Sequence, residues 1–285
     1  MSYESDHFNE FDLPYGDTKG QVRISQPVKG LICIYCNLKL NAPLAICNPF
    51  LGRLEILPLA TPSCEIGGVS WREVAIGFDE DHEDYKVVQL YSCNAYSCIH
   101  AKMYRKRTNA WEQLADGVFN DLRIYHVSPI VSRCKNSHFA YWSAHYVGVY
   151  DVRIILSFDM KNEVFRKITL PEPDPNPVAF SQVFVEDEHS FLNIVLTNVI
   201  SPLVGGTSTV EIYESRFEGS ELSWNYVKNV EVTSFTRVPL LMASCVFIPD
   251  GLWGNFVYDY RARNIIARQS INYVLVEYRA SLVLP

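Results

Sequence analysis

The sequence predicts one soluble all-β domain assembled from repeated strand–turn–strand units, and three observations carry that expectation. Val, Ile, Thr and aromatic residues are plentiful, with aromatics alone at 13%, and such side chains suit a pleated, half-buried surface better than a helix. No 3.6-residue apolar stripe persists long enough to define a helix. A hairpin pattern recurs at spacings near 50 residues, the length of one four-stranded propeller blade.

Five segments share that pattern. Each has an apolar strand ending in a polar residue, then a turn, then a bulky residue that opens the next strand. The first runs Ile46-Cys47-Asn48-Pro49, turning through Gly52 to Leu54–Pro58. The second is Met103-Tyr104-Arg105, turning through Thr108-Asn109 to Trp111. The third is Leu156–Asp159, turning at Lys161-Asn162 to Phe165 and on to Leu170-Pro171. The fourth is Val210–Glu214, with a longer turn through Gly219 to Trp224. The fifth is Phe256–Asp259, turning through Arg263-Asn264 to Ile265-Ile266. Aligning Asn48, Arg105, Asp159, Glu214 and Asp259 gives intervals of 57, 54, 55 and 45 residues.

Such a period points to a kelch-like propeller of antiparallel blades. A single blade leaves two apolar faces wet, so blades stack to cover each other. Inner strands are then apolar on both faces, as Ile154-Ile155-Leu156 and Val87-Val88 with Leu90 suggest. A meandering β-sandwich is the alternative. Residues 1–285 are read as a single domain, with 1–10 a flexible N-terminal segment. Pro171–Pro177 reads as an extended connector and Gly205-Gly206 as a loop tip. Neither marks a boundary, because the repeat continues across both.

The composition is that of a folded globular chain, with 48% hydrophobic and 20% charged residues. The net charge is −7 and the longest basic run is Arg105-Lys106-Arg107. An acidic chain without a basic stripe argues against nucleic acid and tolerates a basic protein partner. No signal peptide, apolar membrane-length run or Asn-x-Ser/Thr sequon is visible. The eight cysteines read as reduced, mostly core thiols. Together these features suggest the cytoplasm or nucleus, with neither membrane association nor secretion.

Several motifs resemble the F-box-associated domain of plant F-box proteins. They are Gly30-Leu31-Ile32-Cys33 followed by Ile46–Pro49 and Leu57-Pro58, and Ile76-Gly77-Phe78-Asp79 with Asp84–Val88. Ile155–Asp159 with Val164-Phe165 and Leu170-Pro171 is similar to that family's central signature, and Tyr278–Leu284 to its closing strand. The resemblance spans roughly Phe11 to Pro285, and the S-locus F-box proteins of self-incompatible plants look like the nearest branch. It implies a propeller that captures a protein for ubiquitination, while a separate N-terminal F-box docks the Skp adaptor of a cullin-based (SCF) ligase. No F-box precedes Phe11 in this sequence, so Skp binding is expected only of a longer form. The alternatives are a stand-alone propeller binding a peptide or glycan, an F-box-less decoy paralogue, and a propeller enzyme.

Candidate chemistry is sparse. Cys33 and Cys36 sit three apart in a strand, which points them to opposite faces. Cys134, His138 and His145 lack a fourth ligand. Asp79–Asp84 resembles the start of a calcium loop, but Asp84 stands where the EF-hand needs Gly and Leu90 where it needs Glu. A solvated turn between strands Val74–Phe78 and Tyr85–Tyr91 explains it better. There is no Gly-x-Ser-x-Gly elbow, phosphate loop or His-Glu-x-x-His. The sequence therefore assigns no catalytic, cofactor-binding or metal residues and expects no enzyme. Trp111, Phe165 and Trp224 read as blade packing, and Arg105–Arg107 as a solvated tip. The residues that bind a partner are unknown from sequence.

Overall fold

The computed structural model describes residues 22–37, 42–60, 69–79, 81–93, 99–114, 121–124, 131–132, 138–146, 149–171, 178–187, 190–197, 208–218, 221–232, 240–242, 245–250, 254–259, 262 and 264–269. Among them every regular element is a strand. The first sheet holds β1 (Val22–Ile24), β2 (Ile32–Cys36), β3 (Ala45–Asn48) and β4 (Arg53–Ile56). The second holds β5 (Val69–Asp79), β6 (Asp84–Cys93), β7 (Ile99–Arg105) and β8 (Ala110–Gln113).

The third sheet is built from β9 (Leu122–Ile124), β11 (Phe139–Tyr146), β12 (Val149–Asp159) and β13 (Val164–Thr169). The fourth joins β10 (Val131–Ser132) to β14 (Val178–Asp187), β15 (Ser190–Thr197), β16 (Ser208–Glu218) and β17 (Glu221–Val232). The fifth is β18 (Leu240–Met242), β19 (Cys245–Asp250), β20 (Gly254–Asp259) and β21 (Asn264–Gln269). Each is an up-and-down antiparallel meander, except that β10 joins the fourth sheet parallel to β14. The propeller-like all-β expectation holds. Two compact units meet in sequence between Asn120 and Asp121.

Register explains the repeat. Asn48 pairs with Arg53, Arg105 with Ala110, Asp159 with Val164 and Asp259 with Asn264. Each third-to-fourth-strand turn therefore has the same length. Where the leading residue is Asn or Asp, its side chain closes the turn, as Asx residues commonly do. Oδ1 of Asn48, Asp159 and Asp259 accepts the N–H of Leu51, Asn162 and Ala262 at 3.2, 3.1 and 3.0 Å. The last turn residue is left-handed in the first three sheets: Gly52 (φ 59°), Asn109 (φ 49°) and Glu163 (φ 58°). The bulky residue that follows packs across the hairpin. Trp111 lies 5.5 Å from Tyr104 and Phe165 4.4 Å from Phe158, the cross-strand aromatic pairing that stabilises sheets.

The fourth alignment is corrected. Glu214 lies within β16, paired with Asn225, and the hairpin continues to the pair Glu218–Glu221. The longer turn predicted from sequence is instead additional ladder, because Ser215–Glu218 and Glu221–Trp224 keep pairing.

Burial follows the stacked-sheet reading. Val87, Val88 and Leu90, and likewise Ile154, Ile155 and Leu156, are all 0% exposed, so adjacent residues on β6 and β12 are covered on both faces. In the first unit, Cys33 and Tyr35 of β2 join Val74, Ile76 and Val87 in one core. Ile34 and Cys36 turn the other way, to Ala45 and Cys47. In the second unit, Ile155 and Leu170 of the third sheet meet Val183 and Phe191 of the fourth, with Leu222 and Trp224 packed against them.

A polar device repeats between neighbouring sheets. Trp111 Nε1 donates to Pro58 O at 2.7 Å, and Trp224 Nε1 donates to Thr169 O at 2.8 Å. Each indole reaches from the last strand of one sheet to the main chain at the end of the last strand of the sheet before. The equivalent Phe165 has no N–H to offer. These aromatics therefore serve blade packing, as read from the sequence, although each stays partly exposed. Residues 172–177, Gly205-Gly206, Cys134, residues 1–10 and Tyr278–Leu284 lie outside the described residues.

Candidate functional site

In an antiparallel meander the first and third turns emerge at the same end of the sheet. In the first unit that end gathers the turns at Lys29-Gly30, Pro49–Gly52, Asp81–Glu83 and Lys106–Asn109. Lys29 lies 5.5 Å over the Phe78 ring, joining the first sheet's turn to the end of β5. Lys106 ion-pairs with Glu55 of β4 and sits 5.6 Å over Tyr85. Four turns from two sheets are thereby fixed as one surface.

Beneath it lies a buried charge cluster. Asp79 is 1% and Lys86 5% exposed at their side chains, and Lys86 Nζ donates to Asp79 Oδ2 at 2.9 Å. His82 Nδ1 lies 3.0 Å from the same oxygen, its ring 58% exposed. Burial alone would raise the Asp79 carboxyl. The hydrogen bonds and charges of Lys86 and His82 outweigh it and hold the pKa at about 2, below the ordinary 3.8. Asp84 is also buried, and its Oδ2 accepts the Arg107 N–H at 3.1 Å. The segment 79–84 is thus only partly the solvated turn read from sequence. Its tip is exposed, but its two flanking acids brace the structure. An ammonium group held against Asp79 is the opposite of what a calcium site requires.

The other sequence candidates fall as follows. Cys33, Cys36 and Cys47 are buried reduced thiols. Burial pushes Cys33 up to about 12 despite the opposing pull of Arg72, and Cys47 up to about 11. Neither is a thiolate nucleophile. Arg72 is itself buried in the first unit, its Nε donating to Cys36 O at 2.6 Å and its N–H to Asn37 O at 2.9 Å, which docks β5 on β2. Among the described residues no three His, Cys, Asp or Glu side chains converge as metal ligands. His138 borders the third sheet, where its carbonyl accepts the Met160 N–H at 2.6 Å.

What the surface offers is therefore shape and charge. Phe50 is 58% exposed at a turn tip. Arg53 and Arg107 are exposed beside it in sequence and on the adjoining turn. Arg105 is held by Glu112 at 2.9 Å and Lys106 by Glu55, so of the basic run only Arg107 is a solvated tip. Sequence reading missed Phe50 and Arg53. The available signal was an aromatic residue inside a turn that otherwise selects Asx and Gly.

The sequence matches the model of the F-box associated beta propeller domain over residues 6–261. The chain belongs to that family. No curated protein matches it significantly. Among solved structures, the F-box associated domain is similar to the Dos1 propeller, at 10% identity and TM-score 0.47 over 79% of this chain and 65% of that one. It is also similar to the β-propeller domain of the Trilobed protease from Pyrococcus furiosus, at 12% identity and TM-score 0.44, covering 88% and 71%. A prolyl endopeptidase structure gives 12% identity and TM-score 0.49, covering 88% of this chain and 36% of that one. These likenesses concern architecture, and the chain spans just under two thirds of the Dos1 propeller chain. No helix among the described residues is long and apolar enough to cross a membrane.

Proposed function

We propose that this domain is the target-capturing part of an F-box-type ubiquitin ligase subunit, in the S-locus-like branch of the plant family. The observation that carries the proposal is the family match over residues 6–261. The first unit adds a surface of turns tied together by the Glu55–Lys106 ion pair and by Lys29 and Lys106 over aromatic rings. Loops on a rigid scaffold are where binding specificity is commonly placed. The domain contributes no covalent step. It holds a protein, and an F-box supplied in a longer product docks the Skp adaptor and brings the ligase to it. The cytoplasm or nucleus suits this work.

The test expresses the chain fused to a donor F-box, and separately without one, in plant cells treated with a proteasome inhibitor. Proteins captured by both forms are scored for ubiquitin remnants. The reading expects at least one captured protein whose ubiquitination rises only with the F-box fusion. Captured proteins whose ubiquitination is indifferent to the F-box would refute it and favour the stand-alone propeller.

A further inference from the structure

We infer that the paired turns 48–53 and 105–110 form a docking face for an acidic peptide segment carrying one bulky apolar side chain. This deepens the target-capture reading and rests on it. The starting observation is a reversal of sign. The chain carries −7 overall, yet the third turn of the second sheet is cationic and that of the first is closed by an arginine. Lys106 and Arg107 stand between the paired residues in the second sheet, Arg53 is the closing residue in the first, and the third-sheet turn sets Lys161 against Glu163. A turn needs Asx or Gly for its backbone. It has no conformational need for cations at the tip.

In the first unit this charge stands at the same end of the sheets as exposed Phe50, with the exposed acids Asp81 and Glu83 on the turn between β5 and β6. The Glu55–Lys106 ion pair ties β4 to the turn of the second sheet. Arg53 lies two residues before Glu55 on the same face of β4, on the side of the turn tip, and is exposed. Arg107 follows Lys106 at the exposed tip, its backbone fixed by Asp84. Internal acids already engage Lys106 and Arg105. The guanidiniums of Arg53 and Arg107 have no ion-pair partner among the described residues. Exposed Phe50 completes the face, and aromatic residues and Arg are the side chains most enriched at binding hot spots. Two guanidiniums beside an apolar ring fit carboxylates flanking an aromatic or leucine side chain, since Arg grips carboxylates bidentately.

The test titrates the whole chain with a fluorescein-labelled peptide of four Asp/Glu residues around one Phe, read by anisotropy. Binding is expected, weakening as NaCl rises through the range where screening acts. Arg53→Glu with Arg107→Glu should weaken it at least about tenfold, and Phe50→Ser or a Phe→Ser peptide should also weaken it. Lys161→Glu with Arg166→Glu makes the same charge change on the third sheet and should leave binding as in the wild type. Thermal melts verify folding, which exposed substitutions should not disturb. No binding of the acidic peptide, or equal loss with both charge-reversed pairs, would overturn the inference. The ubiquitin reading stands or falls separately, because no ligase component is present.

Discussion

Lys86→Met isolates the buried charge cluster of the second sheet. The substitution keeps the length and apolar stem of the side chain but removes the ammonium group that donates to Asp79 Oδ2 at 2.9 Å. Asp79 then remains a carboxylate at 1% exposure, and among the described residues the His82 ring nitrogen, 3.0 Å from Oδ2, is its remaining side-chain hydrogen-bond partner. Removing one partner of a buried pair costs about 3–5 kcal/mol, and His82 places this case near the lower bound, about 3 kcal/mol. The pH dependence follows from the depressed carboxyl. The wild-type contribution of Asp79 is fully present above its ordinary 3.8 and is lost as pH falls through about 2. It amounts to about 2 kcal/mol by linkage. In the variant, burial is left largely unopposed and Asp79 takes up a proton at higher pH. The penalty should therefore be largest at neutral pH and shrink on acidification. Urea unfolding at pH 7 and pH 3 reads both. The double variant Asp79→Asn with Lys86→Met should recover part of the loss, since no buried charge remains. A midpoint unchanged at pH 7, or a penalty equal at both pH values, would show that Lys86 does not hold Asp79 as a buried carboxylate.

Three further outcomes are expected. Trp111→Phe should lower stability by about 1 kcal/mol by deleting the hydrogen bond to Pro58 O, and Trp111→Ala by about 2–3 kcal/mol, below the range for a fully buried ring. Chemical denaturation checks both, and a Phe variant as destabilised as the Ala variant would assign the effect elsewhere. Glu163→Gly should stabilise by up to about 1 kcal/mol and Gly52→Ala should destabilise by about 1 kcal/mol, because both positions are left-handed; opposite signs in thermal melts would contradict the shared turn geometry. Cys33 and Cys47 should resist a thiol reagent at pH 8 in the folded protein and react on unfolding, given thiols at about 12 and about 11. Fast native labelling, mapped by mass spectrometry to either residue, would contradict their core placement.

The fold was largely legible because hairpin chemistry is local. Asn48, Asp159 and Asp259 announce their turns through side-chain oxygens that close them, and Ile154-Ile155-Leu156 announces a strand covered on both faces. The error at Glu214 has the same root: a polar residue before an aromatic looks like a turn boundary, yet strand pairing carries on to Glu218. The site was less legible. Whether an acid near a turn is solvated or braced depends on what arrives from another strand. Nothing local to Asp79 marks Lys86 as its buried partner, and nothing local to Asp84 marks the Arg107 backbone. Likewise Arg107 became distinguishable from its neighbours only once Glu112 and Glu55 were seen to occupy Arg105 and Lys106.

The proposed role is to hold a protein for ubiquitin transfer through the turn end of the first two sheets. Reconstituted ubiquitination tests it most directly, with the F-box-fused chain, Skp adaptor, cullin module and a protein captured from cells. Ubiquitin chains are expected on that protein with the native sequence, with near-complete loss for the Arg53→Glu, Arg107→Glu variant. Equal modification by both forms, or modification without the propeller, would contradict it.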